Sequence, residues 1–103
     1  MSERKSRMSE KFIQVPMSVL ARKDLSSTAK LLYGLVLALS EETGCCWETN
    51  AYLGECLGSE PTYMSALAGI LERGGLIRRE FDMDKGSVER RLYPLPPTPA
   101  GRE

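Results

Sequence analysis

The sequence contains no histidine and only three cysteines in 103 residues. Cys45 and Cys46 are adjacent and Cys56 stands apart, so no C-x-x-C pair is available and a zinc site lacks its usual ligands. Histidine is also the commonest general base of enzymes, and the chain offers no Ser/His/Asp set, paired catalytic carboxylates or glycine-rich phosphate loop. We therefore expect no enzymatic activity, no cofactor and no metal.

Long hydrophobic runs are also missing. The longest extends from Leu31 to Leu39 and spans nine residues, about half of the ~20 that a membrane helix needs. The N-terminal residues show no basic, apolar and small-residue series typical of a signal peptide. Adjacent cysteines rarely form a disulfide without strain, which favours reduced thiols. We expect a cytoplasmic protein with no membrane segment and, at this length, one small domain.

The spacing of apolar residues between 50 and 77 predicts two helices joined by a short corner. Leu53 and Leu57 lie four apart on the first helix, and Gly58 permits the tight turn that follows. The second helix contains Pro61 in its first turn, and its apolar residues recur at helical intervals: Met64, Leu67, Ile70 and Leu71. This arrangement is a helix-turn-helix.

A long apolar helix is predicted before this motif, from Ser27 to about Glu42, with an end at Gly44. Ser26 or Ser27 is its expected N-cap, because a hydroxyl oxygen accepts from the unpaired amides of the first turn. The helix is apolar on nearly every side, so it is either the central core helix or a core helix that also contributes a dimer face. We expect Trp47 to anchor the packing between this helix and the next.

Two strands are predicted after the motif. Residues 76–82 and 88–94 are strand-like, and Asp84, Lys85 and Gly86 between them are typical of a turn. The β-prone run Phe12–Val15 is expected to pair with this hairpin as a third strand. The fold class is therefore mainly α with a small β-hairpin wing, a winged helix-turn-helix.

The ends of the chain differ from this domain in composition. We expect a flexible basic arm at 1–11, the domain at 12–94 and a proline-rich tail or linker at 95–103. The total charge is zero, but the net charge is +2 over 1–11, −3 over 12–75 and +1 over 76–103. Any attraction to phosphate must come from the arm and the wing, because the helical body is mildly acidic.

Four segments of the chain resemble the winged helix-turn-helix domains that open many plasmid and phage replication proteins. They are F-I-Q-V-P-M-S-V-L, L-S-S-T-A-K-L-L-Y-G-L-V-L, C-W-E-T-N-A-Y-L-G-E-C-L-G and L-E-R-G-G-L-I-R-R-E. Together they extend over residues 12–93. The resemblance implies that the second motif helix enters the DNA major groove and that the wing lies along the backbone or in the minor groove.

Carried over by position, the resemblance implies two groups of DNA-binding residues. The helix would contribute Thr62, Tyr63, Ser65, Ala66 and Gly69. The wing would contribute Arg78, Arg79, Lys85, Arg90 and Arg91. Similar domains usually place Arg, Lys, Asn or Gln on the helix, because such side chains form bidentate hydrogen bonds with base edges. This helix offers hydroxyl groups instead.

Two functions are compatible with these patterns. The first is a DNA-binding phage or mobile-element protein, a replication or regulatory factor that contacts double-stranded DNA and forms a homodimer on symmetric sites. The alternative is a protein-binding module of phage origin that inhibits host machinery such as a defence nuclease, in the manner of an anti-CRISPR protein. The wing also permits a purely structural interpretation, since Arg78 with Glu80 and Glu89 with Arg91 alternate so that cross-strand ion pairs could neutralise the arginines.

Overall fold

The computed structural model describes residues 12–84 and 87–96. In this part of the chain four helices precede one antiparallel hairpin. The helices are α1 (Met17–Leu20), α2 (Ser27–Leu39), α3 (Asn50–Leu57) and α4 (Pro61–Arg73), and the strands are β1 (Ile77–Asp84) and β2 (Ser87–Pro94). This is a winged helix-turn-helix fold, which confirms the predicted fold class. The predicted arm at 1–11, the turn residues Lys85 and Gly86, and the tail from residue 97 lie outside the described residues.

Helix α2 is the centre of the core. Ser26 caps it, because its hydroxyl oxygen accepts a hydrogen bond from the Ala29 amide at 3.2 Å. Residues on successive turns are buried, and Leu31 is its exposed apolar residue. The helix ends at Leu39, three residues earlier than expected, because the Ser40 amide bonds back to the Leu37 carbonyl and tightens the last turn.

Helices α3 and α4 form the predicted motif. The Thr49 hydroxyl caps α3 by accepting from the Tyr52 amide at 3.1 Å. Gly58 ends α3 in the left-handed conformation, with φ 68°, and the Ser59 amide then donates to the Gly54 carbonyl at 2.8 Å. The chain turns sharply here, so the two helices pack across a short corner.

The wing begins directly after α4, and its register runs from Ile77 opposite Pro94 to Asp84 opposite Ser87. The prediction that the segment 12–15 pairs with the wing as a third strand is wrong. Cys46, rather than the segment 12–15, pairs with Leu92 through two backbone hydrogen bonds of 2.8 and 3.0 Å.

The segment 12–15 finds its apolar contacts on α2 instead. A Cβ at Gly34 would lie 3.0 Å from the Val15 side chain and 3.2 Å from Ile13, so the missing side chain lets this segment approach the helix. Burial of Ile13 and Val15 against α2 therefore replaces pairing with the sheet.

Trp47 also departs from expectation. It is 50% exposed instead of packed between helices. Neighbouring residues of an extended segment point to opposite faces, and Cys46 is fully buried beside Leu92, so Trp47 faces outwards. The Arg91 guanidinium lies over its ring, 5.4 Å from the centroid.

The core contains side chains of all four helices and both strands. Tyr33 lies at its edge, where its hydroxyl donates to the Leu95 carbonyl at 2.6 Å. The Leu95 amide donates to Leu76, so the segment after β2 is held against the start of β1. Over residues 12–84 and 87–96, no helix is long and apolar enough to cross a membrane.

Candidate nucleic-acid interface

Helix α4 presents one exposed face and one buried face. Met64, Leu67, Ala68 and Leu71 are buried on the core side. The predicted groove-facing residues Thr62, Tyr63, Ser65 and Ala66 are all exposed. A spacing of three and four residues places Thr62, Ser65 and Ala66 on neighbouring positions of one helix surface. The surface offers hydroxyl and methyl groups and no charge.

Gly69 lies further along α4 and is covered by two arginine side chains. A Cβ added at Gly69 would lie 3.6 Å from Arg73 Nη1 and 3.8 Å from Arg79 Nη2. Arg73 belongs to the last turn of α4, and Arg79 comes from β1. Two guanidinium groups therefore meet beside Gly69, at the junction of helix and wing.

Arg79 is held in place by an acidic residue of α4. Its Nε donates to Glu72 Oε1 at 2.8 Å, and its backbone amide lies 3.5 Å from Glu72 Oε2. The hydrogen bond with the Arg79 side chain lowers the pKa of Glu72 from its usual value. Glu72 binds Nε, whereas Nη2 extends towards Gly69.

Arg90 connects the wing to the start of α3. Its Nη1 donates to Asn50 Oδ1 at 2.6 Å and its Nη2 donates to the Glu48 carbonyl at 2.7 Å. Burial lowers the pKa of Arg90, and the nearby positive charge of Arg79 acts in the same direction. Arg79 and Arg90 lie on the same face of the hairpin, because Arg79 pairs with Leu92 and Arg90 with Phe81 in the strand register. We call Arg73, Arg79 and Arg90 the arginine cluster.

Two further predicted arginines lie on the opposite face of the wing. Arg78 lies 3.0 Å from Glu80 and over the Tyr93 ring, 4.3 Å from its centroid. Arg91 lies 2.6 Å from Asp82 and 3.4 Å from Glu80. The hydrogen bond with Asp82 raises the pKa of Arg91. Arg91 forms cross-strand ion pairs of the kind that the alternating charges indicated, with Glu80 and Asp82 as partners. Arg78 pairs with Glu80 of its own strand instead.

Strand geometry explains this division of the wing arginines. Side chains of alternate residues point to opposite faces, so Arg79 shares the face of Ile77, which packs on the helices, and Arg78 does not. The sequence prediction named both groups together because it did not apply the strand alternation to them. It also missed Arg73, although a basic residue one helical turn after Gly69 could have been recognised as part of the same surface. The fifth predicted wing residue, Lys85, lies outside the described residues.

No group of three or more metal-ligating side chains is present among residues 12–84 and 87–96. An open groove of about 230 Å³ lies elsewhere, between α2 and the segment 12–15. It shares no residue with the exposed face of α4 or with the arginine cluster.

Comparisons with known proteins show what this fold is similar to. The chain aligns with a structure described as the N-terminal domain of a DNA-binding protein, over 99% of this chain and 87% of that one, with 18% identity and a TM-score of 0.67. A Rep–DNA complex aligns over 95% and 85%, with 18% identity and a TM-score of 0.64. An MDR initiator aligns over 95% and 87%, with 19% identity and a TM-score of 0.64. No protein-family model and no curated protein matches the sequence. At these identities the similarity shows a shared fold.

Proposed function

We propose that this protein binds double-stranded DNA, with α4 in the major groove and the arginine cluster on the phosphate backbone. The observation that carries the proposal is the convergence of Arg73 and Arg79 over Gly69, at the end of the exposed face of α4. Arginine guanidinium groups suit phosphate because they donate several hydrogen bonds in a fixed plane. The descriptions of the structural neighbours, a DNA-binding protein and a Rep–DNA complex, support the same function.

The exposed face of α4 determines what kind of binding is expected. The hydroxyl groups of Thr62, Tyr63 and Ser65 can bond to phosphates or base edges, and Ala66 can contact a thymine methyl group. None of them forms the bidentate contacts to guanine or adenine that provide ~1–3 kcal/mol of discrimination each. Phosphate contacts should therefore supply most of the affinity, and the affinity should fall steeply with salt.

The biological role that fits best is that of a replication protein. The neighbours include an MDR initiator and a Rep protein, and we propose that this domain recognises DNA in the replication of a phage or other mobile element. A role as a transcriptional regulator would require the same contacts of α4 and the arginine cluster with DNA. Binding to a symmetric site would need two copies of the chain, for which the exposed apolar residue Leu31 of α2 is a candidate contact.

A second function, docking to a host protein, is favoured by one observation. The face of α4 formed by Thr62, Ser65 and Ala66 is uncharged and made of small side chains, so another helix could pack closely on it. The two functions differ in their need for the arginine cluster, because phosphate binding requires its charge and packing on the small residues does not.

The proposal is tested by fluorescence anisotropy with a labelled random-sequence duplex at several salt concentrations. Arg73→Gln should weaken binding to all sequences alike and reduce the salt slope by about 1, because one phosphate contact is lost. Arg78→Gln is the matched control, since it removes the same charge from the opposite face of the wing. Equal affinities for the parent protein and Arg73→Gln would contradict the role of the cluster. A parent protein that does not bind at low salt would refute DNA binding and favour protein docking.

A further inference from the structure

The three residues of the arginine cluster differ in how their guanidinium groups are bound. Arg73 is exposed. Arg79 binds Glu72 through its Nε, while its Nη2 extends towards Gly69. Arg90 is half-buried, and both of its terminal nitrogens donate to acceptors of the protein. Arg90 therefore differs from the other two, although the resemblance to replication proteins implies the same role for it as for Arg79.

The acceptors of Arg90 lie at the start of α3. Its Nη1 donates to Asn50 Oδ1 at 2.6 Å, and its Nη2 donates to the Glu48 backbone carbonyl at 2.7 Å. Bidentate binding of a phosphate uses two parallel N–H groups of one guanidinium plane. In Arg90 the two terminal nitrogens already hold protein acceptors. Rotation of the guanidinium group towards DNA would break both bonds and leave a backbone carbonyl and an amide oxygen without this donor.

These bonds join β2 to the helix-turn-helix at a second point. The first point is Leu92, which is joined to Cys46 by two backbone hydrogen bonds. Arg90 lies two residues closer to the hairpin tip, about 7 Å further at ~3.4 Å per residue. A strand that is joined at one point can tilt about that point, whereas a second attachment fixes its angle. Arg90 supplies this second attachment.

The angle of the wing determines where Arg79 lies. Arg79 and Arg90 point to the same face of the hairpin in the strand register. The Arg79 guanidinium must stay beside Gly69 if it is to act together with Arg73 at the end of the exposed face of α4. A wing that tilts away from α3 would separate Arg79 from Arg73, and the two could then no longer reach the phosphates beside α4 at the same time.

We propose that Arg90 is a positioning residue for DNA binding. It fixes the wing to the start of α3, so that Arg73 and Arg79 contact the phosphates while α4 lies in the groove, and it makes no phosphate contact itself. This inference rests on the proposed DNA-binding function. It changes what is expected of Arg90, since the geometry of its hydrogen bonds, rather than its charge, contributes to the affinity.

The experiment compares Arg90→Gln with Arg90→Lys in anisotropy titrations with the random-sequence duplex. Glutamine removes the charge, whereas lysine keeps it on one ammonium group that cannot replace the planar pair of donors. Both variants should bind roughly tenfold more weakly, because hydrogen bonds from a charged group that order the interface are lost. Both should keep the salt slope of the parent, since no phosphate contact is removed.

A phosphate contact of Arg90 would give a different result. Lysine would then keep most of the affinity, because it binds phosphate as a point charge. Glutamine would lower the salt slope by about 1, as is expected for Arg73→Gln. Either of these outcomes would overturn the proposal. Arg78→Gln is the control for loss of a wing arginine, and it should bind as the parent does.

A double-mutant cycle with Asn50→Ala tests the contact itself. The substitution removes an acceptor of Arg90 and leaves the Thr49 cap of α3 in place. Asn50→Ala should weaken binding at an unchanged salt slope. The double variant Asn50→Ala/Arg90→Gln should bind as Arg90→Gln alone, because that change already breaks the bond. Losses of affinity that add would show that the two residues act separately and would refute the proposal.

A role in stability alone is distinguished by measuring affinity where every variant is folded, which urea unfolding establishes. If the folded Arg90 variants bind as the parent does, the positioning role is refuted while DNA binding stands. If an Arg90 variant does not fold, Asn50→Ala decides, and binding equal to that of the parent refutes the proposal. If the parent binds no duplex at low salt, the proposed function itself fails.

Discussion

Replacement by alanine should have opposite effects on protein stability at two glycines of the helix-turn-helix. Gly54 lies within α3 and Gly69 within α4, so alanine at either position gains up to ~1 kcal/mol of helix propensity. The effect on the unfolded chain is also the same in both cases. Any difference in stability between the two variants therefore reports the space around each Cβ in the folded protein.

The space at Gly54 is already filled by the corner of the motif. A Cβ there would lie 2.4 Å from the Ser59 carbonyl oxygen and 3.4 Å from backbone atoms of Glu60 and Pro61. The closest approach is roughly 1 Å shorter than the ~3.3 Å at which carbon and carbonyl oxygen atoms ordinarily meet. The obstacle is backbone, so the start of α4 must move to relieve it. Overpacking of this kind costs ~1–3 kcal/mol or more, which exceeds the gain in propensity.

At Gly69 the added Cβ would make ordinary contacts, 3.6 and 3.8 Å from the two guanidinium groups. We expect Gly54→Ala to lower the free energy of unfolding by about 1–2 kcal/mol. Gly69→Ala should raise it by about 0.5–1 kcal/mol. For a domain of this size the two variants should then differ in Tm by roughly 10–20 °C.

Urea unfolding followed by circular dichroism measures both variants against the parent protein. The midpoints should move in opposite directions while the m-value stays constant, because the surface exposed on unfolding is nearly unchanged. If Gly54→Ala were as stable as Gly69→Ala, the close contact between the Gly54 position and the Ser59 carbonyl would be wrong.

Two more predictions concern the core. Tyr33→Phe should cost about 1 kcal/mol in urea unfolding at neutral pH, because the Leu95 carbonyl loses its donor. Burial raises the pKa of Tyr33 in the folded protein above the ~10 of an unfolded chain. The neutral hydroxyl therefore contributes its full stability below pH ~10. The parent protein should lose this stability as the pH rises through the higher folded-state pKa. The variant should lack this alkaline loss, and an identical pH profile would contradict the assignment. In a thiol assay at pH 8, the exposed Cys56 should react quickly, whereas Cys45 and Cys46 should react only after unfolding because both are buried. Burial also raises the pKa of Cys46 to about 11, so little of its reactive thiolate is present at pH 8. Rapid reaction of all three thiols in the folded protein would refute this.

The caps, turns and buried helix faces of this protein follow from its sequence alone. The Thr49 hydroxyl oxygen is positioned just before α3 to accept from its first turn, and Gly58 permits a left-handed turn. The apolar spacing of α4 also placed Met64, Leu67 and Leu71 on its buried face. These features depend on neighbours within a few residues, so the sequence contains the information that determines them.

Contacts between distant segments were harder to predict. The run Phe12–Val15 has the composition of a strand, yet Ile13 and Val15 pack on α2 because Gly34 leaves room for them. Cys46 became the partner of Leu92 instead, which turned Trp47 outwards. Strand propensity shows that a segment suits a pleated surface, but it does not select the partner.

The candidate interface depends both on local sequence features and on contacts between distant segments. The sequence by itself determined the helix-turn-helix, the hairpin and the donor-poor exposed face of α4, because helical periodicity and turn chemistry are local properties. Only the tertiary structure decided which arginines lie beside that face. The position of Arg79 over Gly69, beside Arg73, depends on how the first residues of β1 leave α4 and pack on the core. The same register directs Arg78 and Arg91 to carboxylates on the opposite face, since a strand assigns alternate residues to opposite sides.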